Sequence, residues 1–140
     1  MIEAVILINM NQTHPSKLSI RYEVGNTGYF FSLKWENNIL VLKQFSEHDN
    51  KFEEEIQPNG EEWEDYLHYL NEIKVWDWYD EYLVNCGDSC VEGDEWEVSL
   101  VWGDLRMESH GANSYPTTFR EFIKATEELT GILIEFIQQD

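Results

Sequence analysis

Between Lys17 and Phe45 the chain alternates apolar and polar residues in short runs joined by turn-forming residues, and few folds other than an antiparallel sheet accept that pattern. Leu18, Ile20, Tyr22 and Val24 alternate with Lys17, Ser19, Arg21 and Glu23. A period of two puts one set on a buried face and the other in water. Gly25-Asn26-Thr27-Gly28 then reads as a turn, Tyr29 to Trp35 as a strand, and Ile39 to Phe45 as its partner. Asn37-Asn38 between these two supplies residues that tolerate positive φ, as a tight hairpin requires. Upstream, the apolar run Ala4 to Met10 reads as a buried strand. The first 45 residues are therefore expected to form an antiparallel meander.

The pattern changes after Phe45. Ser46 to Gly60 has no period and ends in Pro-Asn-Gly, so a loop is expected. Asn59 followed three residues later by Glu62 is a capping-box variant, and it predicts a helix start. Trp63, Tyr66, Leu67, Leu70 and Ile73 then make one apolar stripe, with Glu61, Glu64, Asp65 and Glu72 turned outward. Val75 to Val84 fits a continued helix and a strand equally well. After a loop from Cys86 to Asp94, Trp96, Val98, Leu100 and Trp102 predict a strand with an inward aromatic face, turned by Gly103-Asp104 into a partner, Leu105 to Ser109. A loop from His110 to Pro116 leads to a last helix starting near Thr117 or Thr118, with Thr118 and Glu121 in capping-box spacing. Its stripe runs through Phe119, Phe122, Ile123, Thr126, Leu129, Leu133, Phe136 and Ile137, with Gly131 as a break point. The expected architecture is α+β: a single globular domain over residues 1–140, an antiparallel sheet from the N-terminal meander and the later hairpin, and two main helices packed on one face. A chain of 140 residues with 42% hydrophobic residues, 14% of all residues aromatic and three prolines suits one folded core rather than an acidic tail.

Charge is the second constraint. The formal net charge is −19, and it is unevenly placed along the chain. Residues 1–46 hold three acids and four bases, residues 47–97 eighteen acids and two bases, and residues 98–140 seven acids and three bases. Such a chain repels nucleic acid and anionic membranes and attracts basic proteins or cations. No apolar run approaches the roughly 20 residues that span a bilayer. The start MIEAVILINMNQ lacks the basic region of a signal peptide, so a cytoplasmic location is expected, in which two cysteines favour thiols over a disulfide.

The stretch CGDSCVEGDEWE, Cys86 to Glu97, concentrates five carboxylates and both cysteines. Aligned as a calcium loop from Asp88, it places Cys90 at the third position and Ser99 at the twelfth, where an oxygen ligand and a bidentate Glu are needed. A zinc site would have to complete the two cysteines from His14, His48, His68 and His110, none of which are adjacent or four apart. Cys86 or Cys90 with His110 and Asn113 has the residue types of a thiol hydrolase, yet His110 and Asn113 lie in a stretch already rich in turn residues. No nucleophile elbow, phosphate loop, dinucleotide fingerprint or H-E-x-x-H is present. No cofactor, metal or catalytic residue is assigned, and the expectation is a protein that is not an enzyme, with Cys/His or metal-dependent activity as the alternative.

The functional expectation follows from the acidic segment. Net −16 in residues 47–97 destabilises a lone folded chain through self-repulsion, which a basic partner would relieve. Trp63, Trp76, Trp78 and Trp96 lie in the same segment. The expected activity is inhibition or neutralisation of a basic, nucleic-acid-handling protein such as a nuclease, the carboxylates mimicking nucleic acid, with neither nucleic acid nor membrane bound directly. In size and charge this resembles immunity proteins and phage-encoded antagonists of defence systems, with no motif aligned. The expected contacts are Glu53, Glu54, Glu55, Glu61, Glu64, Asp65, Asp80, Glu81, Asp88, Glu92, Asp94 and Glu95, with Trp76, Trp78 and Tyr79 as anchors. The alternatives are a small-ligand or carbohydrate-binding module stacking its ligand on exposed Trp76, Trp78 and Tyr82, and a housekeeping domain.

Overall fold

The structure, a computed structural model, describes residues 14–25, 27–46, 51–83 and 93–134. In chain order the elements are β1 (Lys17–Val24), β2 (Tyr29–Glu36), β3 (Ile39–Phe45), β4 (Phe52–Ile56), α1 (Gly60–Glu72), a 3-10 turn (Val75–Asp77), β5 (Glu81–Leu83), β6 (Asp94–Trp102), β7 (Leu105–Ala112) and α2 (Phe119–Thr130). The strands form one sheet in the order β4-β3-β2-β1-β6-β7-β5, antiparallel except where β5 joins β7. The α+β class, the N-terminal meander, the later hairpin and the two helices all stand as the patterning predicts. The expected strand Ala4 to Met10, both cysteines, Asp88 and Glu92 lie outside the described residues.

Register converts the alternation into two faces. Tyr22 pairs with Phe31 on one side and Trp96 on the other, and Ile20 with Leu33 and Val98. All six side chains are buried. The two-residue turn at Asn37 and Asn38 has φ of 52° and 63°, the left-handed pair that makes hairpin twist match strand twist. Gly103, at φ 60°, supplies the positive φ in the turn from β6 to β7.

Both helices cover the same face. Trp63 of α1 meets Trp35 and Trp102 edge-on, with ring centroids 5.1 and 5.7 Å apart, while Phe119 of α2 packs on Trp96 at 4.9 Å. The capping box of α1 forms in full: the Glu62 N–H donates to Asn59 Oδ1 at 2.8 Å and the Asn59 N–H to Glu62 Oε1 at 2.9 Å. The helices are also tied through buried hydroxyls, Tyr66 Oη lying 2.9 Å from Thr126 Oγ1. Thr126 spends its own proton on the Phe122 carbonyl at 3.0 Å, so Tyr66 is the donor between helices. Burial drives the Tyr66 hydroxyl pKa up, against the lowering effect of that bond.

Four expectations change. His110 to Ala112 is not loop but the end of β7, paired with Glu95 to Glu97 of β6. Ser46 to Gly60 is not wholly loop, because Phe52–Ile56 pairs with β3 as an edge strand. Four of its five residues are exposed, so no alternation betrays it, and carboxylates suit an unpaired edge that must not recruit another strand. Thr118 precedes α2 in capping-box spacing, but its side chain makes no cap; its Oγ1 instead accepts the Trp78 indole N–H at 2.9 Å. The last helix stops at Thr130, with Gly131 at φ 75° as its left-handed end, so the expected stripe does not continue as helix through Leu133. The open stretch Val75 to Val84, described as far as Leu83, follows a left-handed Lys74 and holds the short 3-10 turn and β5.

Candidate functional site

The sheet order separates the carboxylates that the sequence suggested as one contact set. Glu53, Glu54 and Glu55 sit exposed on β4 at one edge, while Tyr79, Asp80 and Glu81 lie at the start of β5 at the other. Six strand spacings divide these edges, about 29 Å at 4.8 Å per strand. A single compact patch does not hold both groups. Glu61, Glu64 and Asp65 stand together on the outer surface of α1. Glu95 lies on the face opposite the helices, across from Glu23.

Several of the expected contacts already have partners within the fold. The Tyr115 hydroxyl donates to the half-buried carboxylate of Asp94 at 2.7 Å, and burial, then this bond, pushes the Tyr115 pKa up, so it stays a donor. The carboxylate of Glu81 lies 3.2 Å from His110 Nε2. Trp78 is half-buried, its ring stacked on Phe119 with centroids 5.8 Å apart. Trp76 is likewise half-buried, and its indole donates to Asn71 Oδ1 at 2.7 Å. Tyr79 differs from both tryptophans, with 74% of its surface exposed.

Where carboxylates converge is between the two helices. A groove of about 370 Å³ runs along α1 and α2, lined by Glu62, Asp65 and Glu72 from the first and Glu128 from the second. Its floor is the buried Tyr66 and Leu129, and Tyr69, 42% exposed, stands in its wall. His68 also lines it, with Nε2 3.1 Å from Glu72 Oε1. No Lys or Arg occurs anywhere in α1. Among the described residues no three His, Cys, Asp or Glu side chains gather as a metal site; the groove's acids are spread over both helices, Glu62, Asp65 and Glu72 on α1 and Glu128 on α2.

Of this lining, sequence reasoning picks out Asp65 as a contact. It places Glu62 in a cap and Glu72 on an outward face, and it has no signal for Glu128, which is 63 residues beyond Asp65 in the chain and meets it only through helix packing. Tyr69 had a usable signal, an aromatic ring falling outside the apolar stripe of an amphipathic helix. In comparison with known proteins, the chain matches no protein-family model and no curated protein. No helix among the described residues is long and apolar enough to cross a membrane.

Proposed function

We propose that this protein binds a basic protein, of the kind that handles nucleic acid, and neutralises it by laying the acidic helix α1 and the interhelical groove against its cationic surface. The observation that carries this reading is the charge density of α1: five carboxylates, Glu61, Glu62, Glu64, Asp65 and Glu72, and no Lys or Arg in thirteen residues. Thirteen helical residues extend about 20 Å at 1.5 Å each, an average of one charge per roughly 4 Å, with four of the five carboxylates between Glu61 and Asp65. One strand of DNA carries a charge per about 3.4 Å of axis. A surface that binds phosphates by Lys and Arg meets a similar linear charge on this helix, and the half-exposed Tyr69 adds apolar contact beside it.

The test is a pull-down with the wild-type chain and with the triple variant Asp65→Lys, Glu72→Lys, Glu128→Lys, at about 50 mM and about 500 mM salt, where the screening length shortens severalfold. None of the three residues caps α1. A basic protein held by the wild type at low salt, released at high salt and missed by the variant supports the reading. Equal recovery by both chains removes the groove from the interface.

A further inference from the structure

The opposite face of the sheet carries charge of the other sign. Arg21, Ser32 and Lys43 form one cross-strand row over β1, β2 and β3, and Ser19, Lys34 and Val41 form the next. Lys34 is thus on the diagonal from both Arg21 and Lys43, about 7–8 Å in each direction by sheet geometry, within reach for three long side chains to meet over one ligand. Lys51, just before β4, lines the same depression. Four of the nine Lys and Arg residues of a strongly acidic chain therefore surround one hollow of about 620 Å³.

Of these four cations only Arg21 is ion-paired among the described residues. Arg21 is held by Glu97 at 3.2 Å and Glu23 at 3.0 Å. Among the described residues, no ion pair engages Lys34, Lys43 or Lys51. In a chain with 28 acids to nine bases, three lysines grouped without such a partner keep their mutual repulsion, which an anion would relieve. The row beyond them is aromatic. Phe30 pairs directly with Phe45, and Phe45 is 48% exposed. The hollow is thus cationic on one side and apolar and flat on the other, with Ser19 and Ser32 as hydroxyl donors.

We propose that this hollow binds a small phosphomonoester with a planar ring, the phosphate among Arg21, Lys34, Lys43 and Lys51 and the ring on Phe30 and Phe45. A dianionic phosphate answers several converging cations, and its oxygens accept several charge-assisted hydrogen bonds at once. The volume lies within the range of about 300–1,000 Å³ usual for small-ligand pockets. A polyanion is disfavoured because Glu97 lines the hollow, Glu53 stands across from Lys43 at its edge, and the whole chain is at −19.

The test is isothermal titration of the full chain with adenosine 5′-monophosphate, with adenosine, inorganic phosphate and a single-stranded oligonucleotide as separate arms. Saturable binding of the monophosphate is expected, weakened at least about tenfold, 1.4 kcal/mol, by K34Q/K43Q and also by Phe45→Ser, with each half-ligand weaker than the whole. Lys34 and Lys43 are exposed, and an unchanged urea midpoint shows that the double variant is folded. The proposal is overturned by no binding up to about 10 mM monophosphate, by equal affinity in wild type and K34Q/K43Q, or by inorganic phosphate matching the monophosphate. Tighter binding of the oligonucleotide than of the monophosphate also overturns it, in favour of a nucleic-acid face.

Discussion

Gly111→Ala should be among the most damaging single-methyl additions to this fold. Gly111 lies in β7 opposite Trp96, and its backbone is the floor on which the indole rests. A Cβ built there would stand 2.6 Å from Trp96 Nε1, 2.7 Å from the Tyr82 carbonyl oxygen and 2.8 Å from the Ser114 carbonyl oxygen. Two of these atoms are backbone, one of them in β5, so the indole or the short parallel strand has to move. If the indole withdraws, it loses its 2.7 Å hydrogen bond to Ser114 O, worth about 0.5–1.5 kcal/mol. Overpacking adds about 1–3 kcal/mol, for a total near 2–4 kcal/mol. With a urea dependence of about 1–3 kcal/mol per molar for a small domain, the midpoint should fall by roughly 1–2 M, followed by tryptophan fluorescence and far-ultraviolet circular dichroism. Gly60→Ala is the control: nothing lies within 4 Å of its Cβ position at the start of α1, and removing a helical glycine should be neutral or stabilising by up to about 1 kcal/mol. A Gly111→Ala midpoint within about 0.3 M of wild type would falsify the close-approach account.

The other expectations concern hydroxyls, caps and charge. Tyr66→Phe removes the donor to Thr126 and should cost about 1 kcal/mol at neutral pH. The folded pKa of Tyr66 is raised above 10, so its contribution is intact below about pH 10 and is lost as pH climbs toward the folded value, at up to about 1.4 kcal/mol per pH unit; the variant should show a shallower alkaline loss of stability, and an identical slope would mean that Tyr66 does not stay protonated in the fold. Asn59→Ala removes the side-chain half of the capping box and should lower stability by about 1 kcal/mol, with faster hydrogen exchange at the Glu62 amide as the local readout; unchanged exchange would assign that protection elsewhere. The reversal of Asp65, Glu72 and Glu128 to lysine should abolish capture of a basic partner while leaving the urea midpoint nearly unmoved, since Asp65, Glu72 and Glu128 are exposed.

What was legible from sequence was what is decided locally. Alternation gave β1, β2, β3 and β6, two asparagines gave the hairpin turn, and Asn59 with Glu62 gave the start of α1. Each depends on residues within a few positions of one another. β4 was hidden because only Ile56 of FEEEI is partly buried, so its strand character comes from β3. β5 has no local signature because its partner is β7, with Glu81 beside His110. Thr118 had the spacing of a cap but not the function, since an indole forty residues away claims its oxygen. The groove and the cationic hollow depend on packing and register. Polar positions of β1, β2 and β3 read only as solvent-facing until strand pairing sets Arg21, Lys34 and Lys43 side by side.

The uneven charge along the chain becomes an uneven charge across the sheet. The nearly neutral first 46 residues contribute Arg21, Lys34 and Lys43 to one face, while the acidic segment contributes most of the helix groove on the other. This separation gives the two proposed sites different responses to salt. The molecule has a radius of gyration near 14 Å by its length. At about 0.01 M ionic strength the screening length of about 30 Å lets the full net charge act on a ligand at either face, and at 0.1 M a screening length of about 10 Å leaves mainly the nearest charges. At the groove, local and global charge have the same sign, so a basic partner should bind progressively less tightly as salt rises. At the hollow they oppose each other: the first added salt hides the distant carboxylates from a phosphate, and further salt weakens the lysines themselves. Affinity for the monophosphate should therefore pass through a maximum at intermediate ionic strength. A monotonic fall from the lowest salt would mean that the lysines dominate at every range, and that the acids beyond the sheet do not govern access to this face.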